Sequence, residues 1–142
     1  VVLEVHLEHA ALEFADPADG PAASPDELAP TGRATPRWWF TSRNPDLEAA
    51  VLDALAAERL DRSMLVAPDA FGEQPPTDGA HYHTEGVPIV QFLAAPFYLF
   101  DAMDTLDKID REHLVALTRA AIRIVASTRG VSAADMRAGV EA

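Results

Sequence analysis

The sequence predicts one α/β layered domain, with about four strands in a mixed sheet and two long helices packed against it. Three stretches carry that expectation. "VVLEVHLE" alternates apolar and polar residues with a period of two, the mark of a strand with one apolar face. "NPDLEAAVLDALAAERL" places apolar residues at helical spacing. "VPIVQFLAA" is a nearly continuous apolar run of strand length, as expected for a strand covered on both faces. Strands alternating with amphipathic helices give a layered fold. A chain of 142 residues makes one domain with a real core, and 49% apolar residues exclude disorder throughout.

Each element has its own local reason. In the first strand, Val1, Leu3, Val5 and Leu7 face one way and Val2, Glu4, His6 and Glu8 the other. Residues 16–36 hold five prolines together with Gly20 and Gly32, which predicts a long excursion loop. "RWWFTSR", 37–43, is aromatic and β-prone, so it reads as a second strand with one tryptophan inward and one outward. A helix follows, with Asn44 as cap, Pro45 in its first turn, and Leu47, Val51, Ala54 and Leu55 as its buried stripe. "SMLVA" is a short strand and "PDAFGEQPPTDGA" a second irregular loop. A last helix is expected from about Arg111 to Ser127, capped by Asp110 and stopped near Gly130, with a short one from Ser132. Leu114, Leu117, Ala121, Ile124 and Val125 would be its apolar face.

Charge and composition narrow the function. The 23 acidic residues against 11 basic ones leave a net charge of −12, which argues against nucleic acid as a partner. No apolar run approaches the roughly 18 residues of a membrane helix, so a soluble protein without a membrane partner is expected. The absence of cysteine removes disulfides, thiolate zinc sites and a cysteine nucleophile together. No signal peptide is visible at the start. A chain that begins in mid-strand reads as a fragment, a processed product or a trimmed chain.

Several groups could do chemistry. Glu4, His6 and Glu8 share one strand face, so two of them could bind one cation; a solvated strand face is the ordinary alternative. His81 and His83 in "HYH" could chelate zinc if that segment is extended, although a surface pair is the commoner outcome. A histidine-based module using these two and His9 is a third possibility. Asp101, Asp104, Asp107 and Asp110 recur every three residues before a helix, where carboxylates serve its dipole and cap. No serine sits in a "GxSxG" turn, and no phosphate-cradling glycine loop exists.

Taken in order, the segments from "VVLEVHLEHAALEF" to "LVALTRAAIRIV" resemble the C-terminal half of a zinc-dependent aminopeptidase-like exopeptidase. The family comprises the di-zinc aminopeptidases and relatives of glutaminyl cyclase and glutamate carboxypeptidase. There a core strand ends in an acidic metal ligand before a small-residue turn; "VHLEHAA" matches, with Glu8 in the ligand position. "TDGAHYHTEGVPIV" matches the loop before the next core strand, with Thr77, Asp78, Tyr82, Gly86 and Pro88 in place and Gly79 where the family usually has histidine. "FDAMDTLDKIDREHL" keeps Asp104, Thr105 and the following helix, but Phe100 stands at the histidine ligand, with Asp101 beside it as a substitute donor.

The resemblance implies a partial layered zinc-exopeptidase-like domain over 1–142, zinc as cofactor, and a peptide substrate where the full site exists. The family's first histidine ligand, bridging aspartate and Glu-Glu pair lie in an N-terminal half outside this sequence, so the chain alone should not be a competent peptidase. A degenerate, non-catalytic domain working in binding or assembly is the alternative, favoured by Phe100 and Gly79. Because the family sheet continues through earlier strands, an exposed sheet edge should seek a homo-oligomer or the missing half, with the first strand or "RWWF" near the contact. Light scattering after size exclusion should therefore report a dimer or larger complex; a monodisperse monomer at micromolar concentration would contradict this.

Overall fold

The computed structural model describes residues 2–18 and 20–138. It contains a four-stranded mixed sheet and a separate two-stranded ribbon. The strands are β1 (Glu4–Glu8), β2 (Leu12–Ala15), β3 (Ala29–Ala34), β4 (Arg37–Thr41), β5 (Ser63–Val66) and β6 (Ile89–Ala94). The helices are α1 (Pro45–Ala57), α2 (Ala80–Thr84), α3 (Leu114–Ser127) and α4 (Ala133–Arg137). In the main sheet the order is β1-β6-β4-β5. β1 runs parallel to β6, β6 antiparallel to β4, and β4 parallel to β5 through the α1 crossover.

One face of this sheet carries the core. Trp39, Val90, Phe92 and Ala94 pack against Leu47, Val51 and Leu55 of α1 and against Leu117, Ala120 and Ile124 of α3. Strand alternation puts Trp39 inside this layer, with its ring 5.0 Å from that of Phe92. Trp38, on the opposite face, meets Phe71 from the 67–79 loop at 5.2 Å. Asn44 explains how α1 begins: its side-chain oxygen accepts from the backbone N–H of Asp46 and Leu47. The same side chain donates to the carbonyls of Asp135 and Met136, which docks α4 on the start of α1.

The expected excursion at 16–36 is partly ordered. Its second half forms β3, which pairs with β2 across an irregular register that accommodates Pro30 opposite Phe14. Side chains pin this ribbon: Arg62 and Arg33 both bridge to Glu13, and Thr31 donates to it. The Arg62 hydrogen bond, then that of Thr31, hold the Glu13 carboxyl down at about 2.

"RWWF" is not at an edge. β4 lies between β6 and β5, while among the described residues β1 pairs only with β6 in the sheet. The run of bulky residues in β4 reflects burial between neighbours rather than an unfinished edge.

The last helix also departs from expectation. It starts at Leu114, and Asp110 does not cap it. Asp110 is instead buried and paired: Arg37 Nη2 lies 2.9 Å from its Oδ2, with the two side chains 3% and 2% exposed. His113 Nδ1 sits 2.8 Å from Oδ1. Residues 111–113 form a separate turn before the helix, and on the helix Leu114 and Val125 are exposed while Ala120 is buried. Removing one partner leaves the other charged and dry, which costs more than any surface pair returns. Asp110→Ala should therefore lose about 3–5 kcal/mol of stability in urea unfolding; a loss below about 1 kcal/mol, the value of an exposed pair, would contradict the arrangement.

Candidate metal centre

The sheet face opposite α1 and α3 holds the polar cluster. Alternation along β1 sends Leu3 and Val5 to the core and leaves Glu4, His6 and Glu8 on this second face. The parallel register sets His6 opposite Gln91 and Glu8 opposite Leu93. The 77–79 turn then folds across, and Asp78 approaches the strand from above. One ligand atom each from His6, Glu8 and Asp78 lies within 4.8 Å of the others. His6 Nε2 is 3.3 Å from Glu8 Oε2, and its Nδ1 is 3.6 Å from Glu4 Oε1.

A fully buried amide holds this group in place. Gln91 is 0% exposed. Its Nε2 donates to Glu4 Oε2 and to the Gly79 carbonyl, both at 2.8 Å, and its Oε1 accepts from the Thr77 hydroxyl. These three hydrogen bonds link β6, β1 and the 77–79 turn. Burial raises the Glu4 carboxyl above the ordinary range, offset in part by the Gln91 hydrogen bond and the charges of His6 and His81. A Cβ built on Gly79 would come within 2.5 Å of Gln91 Nε2. A histidine at that position, as the resemblance would have it, has no room while Gln91 holds this place.

The donor set fits a cation of the zinc class. One imidazole nitrogen and two carboxylate oxygens suit zinc and its first-row neighbours. Bonds of about 2.1 Å at tetrahedral angles put ligand atoms about 3.4 Å apart. The His6–Glu8 contact already has that length, and Asp78, which is exposed, has freedom to close the remainder. Three protein ligands leave a position for water or substrate.

The other expected residues are placed differently. "HYH" lies in α2, not in an extended segment. At about 100° per residue, side chains two apart on a helix diverge by about 200°, so His81 and His83 do not chelate one ion together. His81 is near enough to Glu4 to act on its charge, and its ring stacks on Tyr82 at 4.3 Å. The turn after α2 uses Gly86 at φ 68°, and buried Pro88 offers its carbonyl to the Glu4 N–H. Asp101 is exposed and accepts from the Met103 N–H, closing its own turn. Phe100 is 89% exposed at φ 65° and meets His9 edge-on at 5.8 Å. The Asp104-Thr105 segment also serves the fold: Thr105 Oγ1 accepts from the buried Lys108 ammonium at 2.9 Å. A cavity of 810 Å³ opens between this segment and the turn at His9 and Ala10.

Gln91 was hidden in the sequence by its apolar surroundings. A lone amide inside "VPIVQFLAA" is nonetheless an anomaly, because a buried polar side chain must find partners. Comparison with family models, with curated proteins and with solved structures found no match. The resemblance to zinc exopeptidases therefore rests on the motifs themselves. The close packing at Gly79 is directly testable. Gly79→Ala should cost about 1–3 kcal/mol in thermal or urea unfolding, the usual penalty for forcing a methyl into a filled space. Wild-type stability in that variant would show that Gln91 is not held as described.

Proposed function

We propose that this chain is the C-terminal portion of a zinc aminopeptidase-like hydrolase, contributing one cation position through His6, Glu8 and Asp78. The observation that carries the reading is the convergence of those three side chains on one sheet face, with Glu8 at the position the motif resemblance makes a ligand. His6 and Asp78 are not ligands that the resemblance supplies; they are local donors that fit the same class of ion. The bound cation would act as a Lewis acid and lower the pKa of a water in its open position. His6 and the two carboxylates would hold it, and Glu4 and Gln91 would keep those donors oriented.

The chain alone falls short of a peptidase on this reading. The second-ion ligands and the paired glutamates of the family are not among the residues of this sequence, so a second copy of the chain would not supply them. A purely structural role in binding or assembly is the second reading. Phe100 favours it, since the residue at the family's histidine position points into solvent rather than toward Glu8.

Calorimetric titration of the folded chain with zinc separates the two. One equivalent should bind, and His6→Ala should abolish the uptake with the fold intact by circular dichroism. The zinc-loaded chain should leave an aminoacyl-p-nitroanilide intact. Absence of saturable uptake would overturn the metal reading, and steady turnover of the anilide would overturn its catalytic insufficiency.

A further inference from the structure

The outer surface of the helix layer carries a pattern that packing against the sheet does not explain. α1 and α3 lie together on one sheet face, burying Leu47, Val51 and Leu55 from the first and Leu117, Ala120 and Ile124 from the second. A helix covered on one face ordinarily turns polar residues outward. At about 100° per residue, Val115, Ile122 and Ala126 lie opposite the buried stripe of α3, with Thr118 and Val125 beside them. Val115 is 59%, Ile122 62% and Val125 48% exposed. α3 thus has two apolar faces, and among the described residues only the inner one is covered. On α1 the outward positions include Ala49, Leu52 and Ala56, all exposed.

Charge divides the same surface between the two helices. Pro45–Ala57 contains Asp46, Glu48 and Asp53 and no basic residue. Leu114–Ser127 contains Arg119 and Arg123 and no acidic residue, a local exception in a chain of net charge −12. Asp46, Asp53, Arg119 and Arg123 are exposed, and so is Arg129 just beyond α3. Arg123 already bridges to Glu58 at the end of α1, with Nε 2.6 Å from Oε1, so opposite charges join these helices within one chain.

We propose that this layer is the contact between two copies of the chain, related by a two-fold axis that sets α3 of one protomer against α1 of its partner. The two-fold makes the contact twice, and each copy supplies both of its sides. Val115, Ile122 and Val125 of each protomer cover the outward apolar positions of the opposing α1, and Arg119 faces the acidic residues there. Setting α3 against α3 would oppose arginines, and α1 against α1 would oppose carboxylates, so the charge pattern selects the crossed pairing. The interface lies on the helix layer, away from the β1 edge, and does not depend on a bound cation.

Sedimentation equilibrium on the wild-type chain and three variants tests this. The wild type should be a reversible dimer at micromolar concentration, with a thermal midpoint that rises with protein concentration. Ile122→Glu should weaken association about 30-fold or more, the effect of losing a central apolar anchor. Its circular dichroism should match the wild type, because Ile122 is on the solvent side of the helix. Arg119→Glu should weaken the dimer too, and adding Asp53→Arg to that variant should restore it by exchanging the two charges. If Ile122→Glu does not fold, the two charge variants carry the test. A wild-type chain that stays monomeric at micromolar concentration overturns the proposal. So does a dimer unchanged by Ile122→Glu, since pairing through the β1 edge would ignore that position. A double variant no tighter than Arg119→Glu alone overturns the crossed pairing of α3 with α1.

Discussion

The parallel pairing of β1 on β6 is the constraint from which the rest follows. It sets Glu4 opposite Ile89, His6 opposite Gln91 and Glu8 opposite Leu93. Because side chains alternate, a slip of one residue would carry Glu4, His6 and Glu8 to the helix-covered face and drive Leu3, Val5 and Leu7 out of it. Burying three ionisable groups against α1 and α3 would be far costlier than any lost strand contact. Apolar burial on one face thus fixes the polar arrangement on the other. Gln91 reinforces the same register, since its amide reaches Glu4 only when the two strands are aligned in this way.

Much of this architecture can be read from local patterns. The alternation in "VVLEVHLE", the Asn44 cap with its Leu47–Leu55 stripe, and the apolar run at 87–95 each correspond to an element of the structure. Misreadings arise where a long-range partner overrides a local signal. Asp110 has the type and position of a helix cap, but Arg37, distant in sequence, takes it into a buried pair. Pro30 reads as a strand breaker, yet an irregular register in a two-stranded ribbon accepts it. "HYH" continues an irregular, Gly- and Pro-rich stretch, but the backbone from Ala80 forms a short helix there.

The polar site shows the same division. That Glu4, His6 and Glu8 share a face is legible in their spacing; that Asp78 closes over them depends on a turn placed by Gln91 and Thr77. Glu8 lies in the cluster, and Phe100 is in solvent. In a chain of net charge −12, gathering carboxylates on a sheet edge raises their mutual repulsion. A divalent cation would relieve it.

The most direct measurement is an anomalous-difference map at the zinc edge from crystals grown with the metal. The account predicts one strong peak about 2.0–2.2 Å from His6 Nε2 and from one oxygen each of Glu8 and Asp78. A peak elsewhere on the surface, or none at this cluster, would contradict it.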